Sequence, residues 1–140
     1  MTHQPPIPKQ PEYYVLLADD SAIYQHALTK VLEHSGFSVI STDNGHEALS
    51  LYEASPDLWK LVIMDCHMPI MDGFMSAFFI RQFEARNNLT PTSIIGISSD
   101  YNKESKKRAF QSGMDNYLPK PLGKQQLLYI AQQYLPSSIC

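Results

Sequence analysis

The chain has 140 residues and a mass of 15.9 kDa, which is one ordinary domain able to bury a core without staples. Its 44% hydrophobic content excludes bulk disorder, and a net charge of −3 with a pI near 5.9 excludes the usual basic nucleic-acid binder. No apolar run reaches the length of a bilayer span and no charged-then-apolar leader opens the chain. Cys66 and Cys140 make neither a disulfide framework nor a zinc site, so a reducing, cytoplasmic setting is expected.

In chain order, residues 1–12 carry Pro5, Pro6, Pro8 and Pro11 and read as a tail or linker. The folded body is expected over 13–135, and 136–140 reads as a second short tail. Within the body, short runs rich in Val, Ile and Leu stand at Val15–Ala18, Phe37–Ile40, Leu61–Met64, Ser93–Ile97 and Asn116–Leu118. They are continuous rather than alternating, the pattern of strands buried on both faces.

Helical spacing fills the gaps between these runs. After the first, Ile23, Ala27, Leu28, Val31 and Leu32 predict one apolar face, with Gly36 as the stop. After the second, Asn44 caps a helix whose Ala48, Leu49 and Tyr52 face inward, and Glu47 stands at the third position. A third helix is predicted over about 74–86. Its Phe74, Met75, Phe78, Phe79, Ile80 and Phe83 cover more than one face, either as a broad core stripe or as a surface left for a partner or a second copy. A fourth runs over about 102–112 and closes at Gly113, with Lys103, Lys106, Lys107 and Arg108 as a solvated face. A fifth runs over about 124–134, with Leu127, Leu128, Ala131 and Leu135 on one side. Five strand–helix units give an α/β fold, a parallel sheet with helices on both faces.

In such a sheet ligands bind beyond the carboxyl ends of the strands. The residues there are Asp19 and Asp20, then Thr42 and Asp43, then Asp65, then Ser98 and Ser99, then Lys120. Two like charges about 4 Å apart repel by roughly 4 kcal/mol at an effective dielectric near 20. Asp19, Asp20 and Asp65 cannot crowd together bare, so either some are protonated or a cation joins them. Lys120 returns one positive charge and a divalent ion would neutralise the rest. Oxygen-only ligands of this small number favour Mg²⁺ over Ca²⁺. A neutralised acidic site with an amine and a hydroxyl suits phosphoryl transfer, and Asp65, at the end of the central run, is the natural acyl-phosphate former.

These pieces resemble the response-regulator receiver domain. The resemblance rests on Asp19-Asp20 after Val15–Ala18, on Leu61–Gly73 with its Met64-Asp65-Cys66-His67-Met68-Pro69 core, on Ser98-Ser99 after Ile94–Ile97, and on Gly113–Pro121. It covers about 14–135. It implies the flavodoxin-like strand order 2-1-3-4-5 and phosphorylation of Asp65 by a phosphohistidine. It also implies Mg²⁺ held by Asp20, Asp65 and the backbone carbonyl of His67, with Asp19 acting through a metal-bound water. Ser98 and Lys120 would contact the phosphoryl oxygens, Tyr117 would be the switching aromatic, and the Lys120–Pro121 bond would be cis. His67 and Asp100 fall where the family tunes acyl-phosphate lifetime. Ser98 stands where Thr is more frequent, and Ser99 where a small apolar residue is usual.

The motif wording is closest to receivers attached to hybrid histidine kinases. The implied partners are a histidine kinase or a histidine phosphotransfer protein, with no direct contact to nucleic acid or membrane. A homodimer is left open. Chemistry would be limited to self-phosphorylation and self-dephosphorylation. Two rivals remain from the sequence. One is a small phosphatase or phosphotransferase with an aspartyl nucleophile, which usually needs a carboxylate two residues on, where this chain has His67. The other is a binding module that has lost phosphorylation.

Overall fold

A computed structural model describes residues 13–133. The expected tails at 1–12 and 136–140, and Tyr134 and Leu135, lie outside the described residues. The body forms β1 (Tyr13–Ala18), α1 (Ala22–His34), β2 (Phe37–Thr42), α2 (Gly45–Ala54), β3 (Trp59–Asp65), α3 (Gly73–Arg86), β4 (Ile94–Ser98), α4 (Lys103–Ser112), β5 (Asn116–Pro119) and α5 (Lys124–Gln133). All five strands pair in parallel in the order β2-β1-β3-β4-β5. That is the α/β, flavodoxin-like arrangement the sequence predicts, with the chain order reversing beside β1.

Alternation along each strand splits the core in two. Leu16, Val62, Met64 and Ile94 face Tyr52 of α2 and Phe74, Ala77 and Ile80 of α3. Val15, Leu17, Ile63 and Ile97 face Leu28 and Leu32 of α1 and Leu127, Ile130 and Ala131 of α5. Each fully buried Leu or Ile contributes roughly 1.5–3 kcal/mol, so the two layers carry the fold. Among the described residues no helix is long and apolar enough to cross a membrane.

The helix ends obey local chemistry. Ser21, Asn44, Asp72 and Asn102 each accept a backbone N–H in the first turn of the helix that follows. At Asn102 the box is reciprocal, closed by Ser105. Gly113 ends α4 with φ 106°, a left-handed conformation that costs a side-chain-bearing residue.

One predicted face differs from the observed one. Ile23 is 85% exposed and Ala27 is exposed, because the buried row of α1 runs through Tyr24, Leu28 and Leu32 at four-residue spacing. In α4, Lys103, Lys106 and Lys107 are solvated as expected. Arg108 is exposed too, and it also lies over the Phe74 ring, 4.3 Å from its centroid, and 3.7 Å from the Asp72 carboxylate. The crowded face of α3 is only partly core: Phe74 and Ile80 are buried, while Met75 and Phe78 are exposed.

Candidate phosphoacceptor site

The carboxyl edge of the sheet gathers residues far apart in the chain. Asp19 follows β1 directly, Asp65 closes β3, and Lys120 follows β5. Parallel pairing sets these ends level, with Ala18 opposite Met64 and Asp65 opposite Ile97, one residue before Ser98. The Lys120 N–H bonds the Ser98 carbonyl at 2.9 Å, which carries the β4–β5 ladder one step further and fixes where the lysine departs. The Lys120–Pro121 bond is cis, as the resemblance implies.

The charges meet closely. Lys120 Nζ lies 2.9 Å from Asp19 Oδ2 and 3.3 Å from Asp65 Oδ2. Ligand oxygens of Asp19, Asp20 and Asp65 all fall within 4.8 Å of one another, with Asp19 and Asp65 buried and Asp20 exposed. Asp19 Oδ1 accepts the Ser21 N–H and Asp65 Oδ1 accepts the His67 N–H. Asp19 Oδ2 is buried and accepts no hydrogen bond; the ammonium stands beside it as a charge, off the bonding direction. Burial, then the neighbouring Asp19 charge, push the Asp65 carboxyl above its ordinary 3.8, against the pull of the His67 N–H and Lys120. Burial alone would lower the Lys120 pKa, but the Asp19 carboxylate against it and the Asp65 charge outweigh it and hold the ammonium above its ordinary 10.5.

Three carboxylates against one ammonium leave two negative charges. Hard oxygen donors within 4.8 Å of each other, one of them buried without a hydrogen bond, fit a small divalent cation. Thr42 and Asp43 stand apart from this cluster. Thr42 ends β2 with its carbonyl taken by the Asp19 N–H, and Asp43 accepts from the Asn44 side chain.

The backbone around Asp65 is tightly fitted. A Cβ at Gly73 would collide with the Asp65 carbonyl and the Met64 side chain, so only glycine lets α3 start there. The intervening loop bends at Ile70, whose φ is 71°, with the Met71 N–H bonded to the Pro69 carbonyl at 2.7 Å. Cys66 is fully buried, and burial raises its thiol pKa, with the Asp65 and Asp72 charges adding to it. His67 is exposed, and its ring packs edge-on against Phe74.

Ser98 is fully buried and its Oγ accepts the Asp100 N–H at 3.0 Å, while Ser99 is exposed. Tyr117 is buried with its hydroxyl unpaired, at a typical cost of about 1–3 kcal/mol for a buried polar group. Its ring stacks on Tyr101, with centroids 5.1 Å apart and planes 15° apart, and aromatic pairs of this kind return about 0.5–1.5 kcal/mol.

Several neighbours were not singled out from the sequence. Tyr24 stacks under Lys120, Gln25 bridges the Asp19 and Thr42 carbonyls, and Tyr101 covers Tyr117. An aromatic one helical turn beyond Asp20, and another three residues beyond Ser98, were the available signals.

Five parallel strands with an acid cluster, a lysine and a buried serine at one edge define a phosphoacceptor signalling fold. The comparisons agree. The profile of the response regulator receiver domain matches residues 15–132. The peroxide stress-activated histidine kinase mak2 of Schizosaccharomyces pombe is 36% identical over 124 residues, which is 87% of this chain and 5% of that protein. A chain of the co-crystal structure of the Saccharomyces cerevisiae histidine phosphotransfer protein Ypd1 with the Ssk1 receiver domain superposes with TM-score 0.81 at 27% identity, covering 91% of this chain and 94% of that one. The receiver domain of sensor histidine kinase PA1611 from Pseudomonas aeruginosa, solved with magnesium in its active-site cleft, superposes at TM-score 0.76 and 25% identity, covering 88% and 97%. The chain belongs to the response regulator receiver family and is a receiver domain of the kind used in two-component and phosphorelay systems. It spans only a small fraction of mak2's length.

Proposed function

We propose that Asp65 is the residue that takes up the phosphoryl group, from a histidine kinase or a histidine phosphotransfer protein. The observation that carries this reading is the position of the Asp65 carboxylate. It closes the central strand, 3.3 Å from Lys120 and within 4.8 Å of Asp19 and Asp20. An Asp65 oxygen forms the new bond to phosphorus. The N–P bond of the phosphohistidine breaks, and its electron pair stays on the imidazole. Lys120 leaves its ion pair with Asp65 to meet the phosphoryl oxygens, and the Ser98 hydroxyl donates to another.

Asp20, Asp65 and the His67 carbonyl would hold Mg²⁺, with Asp19 behind them, already engaged by Ser21 and Lys120. Bound there, the ion supplies positive charge against the charge on the transferred group. Moving the Ser98 hydroxyl frees the Asp100 N–H and loosens the segment that places Tyr101 over Tyr117, which carries the event to the α4–β5 surface. The folded unit is 13–135, acting in the cytoplasm. It catalyses no turnover beyond gain and loss of its own phosphoryl group, as the absence of an acidic residue at His67 supports. The 36% identity to a histidine kinase supports the phosphohistidine donor.

Incubation with acetyl phosphate and Mg²⁺ should add the mass of one phosphoryl group, and Asp65→Asn should abolish the addition. Uptake that survives Asp65→Asn, or no uptake by the unsubstituted chain, would reject the assignment.

A further inference from the structure

Among the described residues, the Lys120 ammonium lies against the Asp19 and Asp65 carboxylates and against the ring of Tyr24, 4.6 Å from Nζ to centroid. The hydroxyl of the same tyrosine accepts the Leu122 N–H at 2.7 Å. Tyr24 thus touches both flanks of Pro121, one through its ring and the other through its oxygen. Burial raises the phenol's pKa above its ordinary 10.0, despite the opposing Leu122 N–H and Lys120, so the ring carries no charge.

A lysine is a point charge on a flexible four-carbon stem and has no preferred direction of its own. Phosphorylation of Asp65 would require its ammonium to move from carboxylate to phosphoryl oxygens. Hydrogen-bonding partners would resist that move, whereas an aromatic face attracts a cation without fixing its direction. We propose that Tyr24 is the positioning residue for Lys120. Its ring confines the ammonium beside Asp65 while letting it shift, and its hydroxyl anchors the turn from which the lysine springs. This rests on Asp65 being the acceptor and assigns a role to a residue outside the acidic cluster.

The test uses beryllofluoride, a mimic of the phosphoryl group, with Mg²⁺ on the full chain. Tyr24→Leu should weaken beryllofluoride binding about fivefold, the loss expected for a cation–π contact. It should also abolish the ring-current shift of the Lys120 ε-methylene protons. Tyr24→Phe keeps the ring, so it should retain that shift and bind within about twofold of the unsubstituted chain. It should lose protection of the Leu122 amide from hydrogen exchange. Tyr24→Leu binding undiminished, or losing global stability without losing affinity, would overturn the proposal alone. So would a Tyr24→Phe variant as weak as Tyr24→Leu. No beryllofluoride uptake by the unsubstituted chain would overturn the acceptor assignment and this proposal with it.

Discussion

The sheet buries carboxylates at both of its edges, and the two are closed differently. At the amino edge Glu84 is buried with one oxygen on Arg81 at 2.8 Å and the other accepting from the Tyr52 hydroxyl and the Thr92 N–H, both at 2.7 Å. Arg81 also reaches Asp115, which accepts the Ile94 N–H, and the carbonyls of Thr92 and Gly113. Burial and the bond to Glu84 raise the Tyr52 pKa, so the phenol stays a donor. At the carboxyl edge Asp19 and Asp65 share one ammonium and one oxygen lacks a hydrogen bond. A guanidinium and two neutral donors, the Tyr52 hydroxyl and the Thr92 N–H, complete the first cluster. The second is three acids in contact, and its Asp65 carboxyl is pushed up by burial and by Asp19. A closed network fixes structure, while an open one leaves room for a cation or a phosphoryl group.

Substitution at the closed edge should have the largest effect on folding. Glu84→Ala leaves the Tyr52 hydroxyl and the Thr92 N–H without their acceptor and takes one of two carboxylates from Arg81, so urea denaturation should show a loss of about 3 kcal/mol. The folded fraction should still bind beryllofluoride, because the contacts of Glu84 lie at the other end of the strands. A variant that kept its stability would show that the amino-edge network contributes little.

The open edge should respond to metal instead. Mg²⁺ at ten times its Kd should stabilise the fold by about 1.4 kcal/mol, and Asp65→Asn should remove that increment. Without Mg²⁺ the sign in pH follows from the raised Asp65 pKa. The folded chain holds this proton above 3.8 and the unfolded chain does not, so stability should fall as pH rises through the window above that value. Thermal melts across pH in EDTA check this, and a rise in stability attributable to Asp65 would contradict it.

The smallest effect is expected at Cys66. Burial keeps its thiol neutral and out of reach, so in a Cys140→Ser background it should resist iodoacetamide at pH 8 until the protein unfolds. Rapid labelling of the native protein would mean that the β3–α3 junction opens.

Strand positions and the acidic cluster were legible because continuous Val, Ile and Leu runs announce strands buried on both sides, and each run is followed within two residues by a polar one. Asn44 and Gly113 were legible because caps and left-handed stops are local chemistry. Contacts between distant elements were not. The Tyr24 ring under Lys120 depends on how α1 meets the β5–α5 turn, and helical spacing alone favoured Ile23 instead. The Glu84–Arg81 pair stood in plain view at i,i+3 within an aromatic stretch, yet its tie to Thr92 and Asp115 exists only once α3 lies across β4 and β5. The left-handed Ile70 carries no signal, since a β-branched residue is the last expected there.

The wide spacing of Asp19, Asp65 and Lys120 bears on how the protein comes into being. A chain emerging vectorially from the ribosome displays both acids long before it displays the amine. Until β5 docks beside β4, the half-built sheet has its acids with no counter-charge, so the proposed competence of Asp65 to carry a phosphoryl group would double as a readout of completed topology.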